Sequence, residues 1–143
     1  MRVAIAPDSL KGSLSAEAAA RAIADGWSRI RPGDELLLMP QADGGEGTLD
    51  AIEACVEGAR RHELFPVDGP DGRPTRGEWL MLTDGTAVVE LAQMCGLPLM
   101  RELDPLGSST RGLGQTIAAA LDAGATSLVI TLGGSASTDG GSG

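Results

Sequence analysis

An apolar run that empties into a glycine-rich, polar loop is the pattern that most constrains this chain, and it occurs three times. Leu36-Leu37-Leu38-Met39 precedes Ala42-Asp43-Gly44-Gly45-Glu46-Gly47, and a helical pattern starts near Thr48. Val3-Ala4-Ile5-Ala6, closed by Pro7, leads into Asp8-Ser9-Leu10-Lys11-Gly12-Ser13. Ser127-Leu128-Val129-Ile130-Thr131-Leu132 leads into Gly133-Gly134-Ser135-Ala136-Ser137-Thr138-Asp139-Gly140-Gly141. Apolar runs this short read as buried strands. Glycine lets the backbone after them take positive φ or approach a ligand closely. One such loop is most simply a tight turn with solvated acids. Three of them set polar chemistry at the ends of successive strands, where open α/β sheets bind their ligands.

The segments between the loops fill in the fold class. Ser15 is placed to cap a helix, Glu17 suits its first turn, and Ala20, Ile23, Ala24, Trp27 and Ile30 make one apolar stripe that Pro32-Gly33 ends. Strand, helix and strand in this order predict a parallel βαβ pair. Leu49, Ile52, Cys55 and Val56 form the inner face of the next helix, which makes Cys55 a buried structural thiol. From Arg60 the texture changes. Gly69-Pro70-Asp71-Gly72-Arg73-Pro74 is dense in turn residues, and two strand patterns flank Asp84-Gly85 as in a hairpin. Leu113 to Ala123 reads as a helix with Ile117, Ala120 and Leu121 inward and Gly124 as its stop. The expected fold is α/β. Residues 1–60 begin a doubly wound parallel sheet, and residues 61–143 begin a mixed α/β second domain. No helix follows the last loop, so the chain is expected to be the N-terminal part of a longer protein and inactive alone.

Charge narrows the partners. The net charge of −9 argues against a nucleic-acid partner, and Trp27, Phe65 and Trp79 are too few for base stacking. No run reaches the roughly 18 apolar residues of a membrane span. Arg2 leads straight into an apolar run too short for a signal-peptide core, so the expected address is cytoplasmic. Cys55 and Cys95 form neither a CxxC pair nor a disulfide framework, and a zinc site or Ser-His triad would rest on His62 alone.

The loops carry the chemistry. The first offers Asp8, Ser9 and Lys11, the second Asp43 and Glu46, the third Ser135, Ser137, Thr138, Asp139 and main-chain amides. Acids for a hard cation, an ammonium for phosphate and an amide-rich anion cradle are the parts of phosphoryl transfer. Lys11 is the only lysine in the chain. A compact ammonium on a flexible stem follows a moving phosphate differently from a planar guanidinium. Walker A is absent, Gly112-Leu113-Gly114 lacks the third glycine of a dinucleotide loop, and Gly134-Ser135-Ala136 is no nucleophile elbow.

Together these stretches resemble the bacterial type-1 glycerate kinase family. The likeness lies in Ile5-Ala6-Pro7-Asp8-Ser9-Leu10-Lys11-Gly12-Ser13-Leu14-Ser15, in Ala42-Asp43-Gly44-Gly45-Glu46-Gly47-Thr48, and in Leu132-Gly133-Gly134-Ser135-Ala136 with Asp139-Gly140-Gly141. Val89-Glu90-Leu91-Ala92 and Gly96-Leu97-Pro98-Leu99 share it. Thr138 stands where the family usually has Asn, and Leu113 and Gln115 depart from a common Gly-Thr-Gly-Glu pattern. The resemblance implies ATP-dependent phosphorylation of D-glycerate with Mg²⁺, in a cleft between two α/β domains. It implies that Lys11 and the loop with Gly133, Gly134 and Ser135 bind phosphate, with Ser9 orienting phosphate or substrate. Asp43 and Glu46 would hold Mg²⁺, Asp8 or Asp139 would take the hydroxyl proton, and Arg111 would fork onto the glycerate carboxylate. Phosphorylation of another small hydroxy acid or polyol, and a non-catalytic sugar-acid or nucleotide binding module, are the alternatives. Self-association as a homo-oligomer is left open.

Overall fold

In the computed structural model, which describes residues 1–143, the chain forms two compact units, Met1–Asp43 and Gly44–Gly143. The first unit holds β1 (Arg2–Ile5), α1 (Ala16–Ile30) and β2 (Glu35–Leu38). β1 and β2 pair in parallel, Arg2 beside Glu35 through Ile5 beside Leu38, as the βαβ pattern predicts. Ser15 caps α1, its hydroxyl accepting the Ala18 amide at 3.2 Å. Ala19 and Ala20 are buried, but Ile23 and Ile30 of the expected stripe are exposed, because a two-stranded sheet has too little area to cover a helix of this length. At the turn into β2, Asp34 accepts from the Trp27 indole at 3.0 Å and pairs with Arg31 at 2.7 Å and the N-terminal ammonium at 2.8 Å.

The second unit holds α2 (Thr48–Cys55), β3 (Arg60–Asp68), β4 (Pro74–Met81), β5 (Thr86–Glu90), α3 (Leu91–Cys95), α4 (Arg111–Asp122) and β6 (Ser127–Thr131). Its sheet has the order β3-β4-β5-β6, antiparallel until β6 joins β5 in parallel. Asp84 accepts the Thr86 amide at 2.9 Å, and Gly85 takes φ 83°, which closes the β4–β5 hairpin read from the sequence. Strand periodicity sorts the core into two faces. Trp79, Ala87 and Val89 face a cluster with Met94, Leu113 and Ala120 from the following helices. Leu80 and Val88 face Leu49 of α2. Two glycines let α4 sit close to the sheet. A Cβ on Gly77 would run into the Thr116 hydroxyl, and one on Gly112 into the Asp68 carbonyl.

The two units meet in sequence at Asp43/Gly44, and α2 packs through Leu49 on Leu80 of β4 and Val88 of β5. Three sequence readings are corrected. Cys55 is exposed, not buried, since it closes an eight-residue helix whose buried residues, Thr48 and Leu49, lie in its first turn; Cys95 is the buried thiol. β6 is the sheet's edge, so Val129 and Ile130 stay 47% and 40% exposed instead of forming a buried strand. Leu121 likewise faces out of α4, whose inner face is Gly112, Leu113, Thr116 and Ala120.

Candidate active site

In the first unit the loop after β1 is a closed turn. The Ser13 and Leu14 amides both donate to the Leu10 carbonyl, at 2.8 and 3.1 Å, and the Leu10 amide donates to Leu14 at 2.9 Å. Gly12 supplies the φ of 74° that closing so tight a ring needs. Lys11 is thereby held on the outside of the turn, exposed and in no ion pair. Asp8, exposed, bends onto the chain after it and accepts the Ser9 amide at 2.6 Å through one oxygen, and its second oxygen accepts no hydrogen bond. Asp43, exposed, is the last residue of this unit.

In the second unit the second and third glycine-rich loops are brought together at the C-terminal ends of β5 and β6. The Gly133 amide donates to the Gly44 carbonyl at 2.9 Å. A Cβ on Gly133 would stand 2.5 Å from the Gly45 nitrogen, so only glycine permits this approach. One residue on, a Cβ on Gly134 would lie 2.8 Å from the nearer Glu46 carboxylate oxygen, which places that carboxylate directly against Gly134. Leu97 donates to the Gly134 carbonyl and Ala136 to the Cys95 carbonyl, both at 2.9 Å, tying the loop to the turn after α3.

The third loop is less open than its glycine count predicts. The amides of Gly133, Ala136, Ser137, Thr138 and Gly141 already donate within the chain. Those of Gly134, Ser135, Asp139 and Gly140 remain to receive an anion. Asp139 organises the segment. One oxygen accepts the Thr110 amide at 2.7 Å and its hydroxyl at 2.9 Å, and the other accepts Gly141 at 3.1 Å and Ser137 at 3.3 Å. The Thr110 amide, at the head of α4, is the first of the donors that hold this carboxyl below the usual aspartate range. Thr138 donates through its hydroxyl to the Pro105 carbonyl at 2.8 Å. Arg111 lies beside this loop's anchor on α4, but its Nε is paired with Asp68 at 3.0 Å. Gln115 accepts the Asp68 amide at 2.7 Å.

Glu90, the last residue of β5, is a candidate residue that periodicity and loop reading passed over. It is fully buried, and its carboxylate accepts the Leu49 amide at 2.9 Å and the Gly47 amide at 3.2 Å. The signal was present as a lone acid at the end of the apolar run Ala87-Val88-Val89. No group of three or more His, Cys, Asp or Glu side chains is gathered as a metal cage. Mg²⁺ held by one or two carboxylates and phosphate oxygens needs no such cage, and the donor set present fits that mode. No helix is long and apolar enough to cross a membrane.

Comparison with known proteins identifies the family. The sequence profile of the glycerate kinase family matches residues 3–143. The glycerate 2-kinase of Escherichia coli K12 is 45% identical over 146 residues, and the glycerate kinase of Bacillus subtilis 168 is 47% identical over 146 residues. Each match covers 100% of this chain and 38% of the relative. A crystal structure from Salmonella typhimurium LT2 bearing a glycerate kinase 2 assignment superposes with a TM-score of 0.75 at 41% identity, again over 100% of this chain and 38% of that one. The chain thus spans well under half the length of these relatives, yet all three chemistry-bearing loops lie inside the matched region. The chain belongs to the glycerate kinase family.

Proposed function

We propose that a protein carrying this chain transfers the γ-phosphoryl group of ATP to a hydroxyl of D-glycerate. The observation that carries this reading is the knit of the second and third loops, which holds the Glu46 carboxylate against Gly134 beside open amides. An amide cradle takes phosphate oxygens. A carboxylate at its rim would repel them unless a cation is shared, and Mg²⁺ supplies that charge neutralisation when bound. Glu46, with Asp43, would hold it. Lys11 neutralises the phosphoryl oxygens from its exposed turn, and Ser9 orients them. Arg111 is the candidate fork for the substrate carboxylate, once its pairing with Asp68 yields.

Between the two candidate bases the geometry favours Asp8. Asp139 has both oxygens engaged by four donors, and its lowered pKa makes it a weak proton acceptor; its role is to pin the third loop to α4. Asp8 is exposed and keeps one oxygen that accepts no hydrogen bond. Asp8→Asn in the full-length protein should lower kcat by about 100-fold or more, within the range of lost general-base catalysis, with unchanged thermal stability. Asp139→Asn should instead lower the melting temperature together with activity. Equal kcat for Asp8→Asn and wild type would remove Asp8 from the base role.

A coupled assay of the full-length protein with ATP, Mg²⁺ and D-glycerate against a panel of hydroxy acids and polyols tests the whole reading. Turnover confined to glycerate supports it. Preference for another acceptor would reassign the substrate, and nucleotide binding with no turnover on any acceptor would leave a binding module.

A further inference from the structure

Glu90 is an acid with no cation beside it in a place where acids are costly. Its side chain lies on the same sheet face as Val88, the face covered by α2, and it is fully buried. Its charge is answered by main-chain donors instead: the Leu49 amide at 2.9 Å and the Gly47 amide at 3.2 Å, at the start of α2. A carboxylate suits the positive end of a helix, and charge-assisted bonds of this kind are the stronger ones. Gln93 adds a long contact from α3 at 3.5 Å. Across the sheet the partner of Glu90 is Thr131, the last residue of β6. The Thr131 Cβ lies 3.6 Å from where a Gly44 side chain would begin. The end of the parallel β5–β6 pair therefore abuts the second loop at both of its shoulders, Gly44 and Gly47.

We propose that Glu90 is a positioning residue that fixes the 44–47 loop, and through it the direction of the Glu46 carboxylate. Glu90 joins the Gly133–Gly44 bond and the Thr48 hydroxyl on the Gly45 carbonyl, at 2.8 Å, in holding it. Gly44 and Gly47 both sit at positive φ, 93° and 89°, which glycine adopts without strain, and Gly47, the N-cap of α2, has no side chain with which to cap it. With Gly47 and Leu49 both bound to the end of β5, Glu46, the one residue with a side chain between Gly44 and Gly47, is held with its carboxylate against Gly134. Burial pushes the Glu90 carboxyl up from the usual glutamate value, while the Leu49 and Gly47 amides pull it back, in keeping with an acceptor held by main-chain N–H groups. The catalytic consequence rests on the role proposed above for Glu46; the clamp itself does not.

The test uses the full-length protein and Glu90→Gln, which keeps the shape and removes one acceptor. Amide hydrogen exchange should rise in residues 44–49 and stay unchanged in β3 and β4. The Mg²⁺ concentration for half-maximal rate should rise, and kcat fall, by about 10- to 100-fold together, as for outer partners of metal ligands. Unchanged exchange in 44–49 would overturn the clamp. So would exchange that rises equally across β3 and β4, since Glu90 would then serve the core as a whole. Local exchange with wild-type kinetics would overturn the positioning role. If the variant does not fold, the wild-type protein decides: slow exchange of the Gly47 and Leu49 amides, on a par with β5, supports the clamp, and fast exchange overturns it. A wild type that loses no protection but phosphorylates no glycerate would fail the functional reading while leaving the clamp standing.

Discussion

Lys11 is one charge on one exposed turn, and the proposed chemistry asks much of it. The turn is closed by main-chain bonds between Leu10, Ser13 and Leu14, so it does not need the lysine side chain to fold. Lys11→Ala should therefore leave the melting temperature unchanged and lower kcat by roughly two orders of magnitude or more, as loss of a transition-state charge contact does. Steady-state kinetics on the full-length protein measures this, and near-normal turnover would take Lys11 out of the site. Asp43 and Glu46 are expected to act on metal affinity. Asp43→Asn and Glu46→Gln should each raise the Mg²⁺ needed for half-maximal rate and be partly rescued by excess Mg²⁺. Mutants with wild-type Mg²⁺ dependence would return both acids to the role of turn residues.

Elements in this chain are held by specific polar contacts wherever the apolar area is small. The α1–β2 turn shows it. Asp34 gathers Arg31, the N-terminal ammonium and the Trp27 indole, and Arg31 is the first of the three in holding its carboxyl well below the usual aspartate range. A carboxyl depressed in the folded state adds stability above its unfolded value, about 4, and that contribution fades as pH falls toward the lowered folded value. The first unit should thus loosen below about pH 4, visible as a change in Trp27 fluorescence in a variant lacking Trp79. Asp34→Asn should lose the contribution at neutral pH and flatten the acid limb. An acid transition unchanged by the substitution would show that Asp34 does not govern it. In the second unit the closeness of α4 to the sheet depends on Gly77 and Gly112, where packing leaves no volume for a side chain.

At the scale of the molecule, apolar surface is left open in both units. Ile23, Ile30, Leu37, Leu38 and Met39 are exposed in the first, and Val129, Ile130 and Leu132 in the second. The matched relatives are much longer, this chain covering 38% of them. Exposed apolar side chains along an edge strand promote association. A 143-residue polypeptide of this sequence, expressed by itself, is expected to self-associate and to show no glycerate phosphorylation. Light scattering and the coupled assay check the two halves of that expectation, and a monomeric, active polypeptide of this length would overturn it.

Local chemistry was legible in the sequence. Ser15 announces a cap, Asp84-Gly85 a hairpin, and the β1–α1–β2 spacing a parallel pair, because each depends on neighbours a few residues away. The family, too, was written in the three loop motifs, now matched across residues 3–143. What the sequence left undetermined depends on long-range packing. Whether Cys55 is inside or outside turns on how far a short helix rides over the sheet. The exposure of Ile130 turns on β6 lying at an edge. The anion-binding capacity of the third loop turns on which of its amides Cys95, Gly44 and Pro105 have already taken. Glu90 is the clearest case: in the sequence it is one acid ending an apolar strand, and only the fold brings it to amides 41 and 43 residues away, where a buried charge finds its donors.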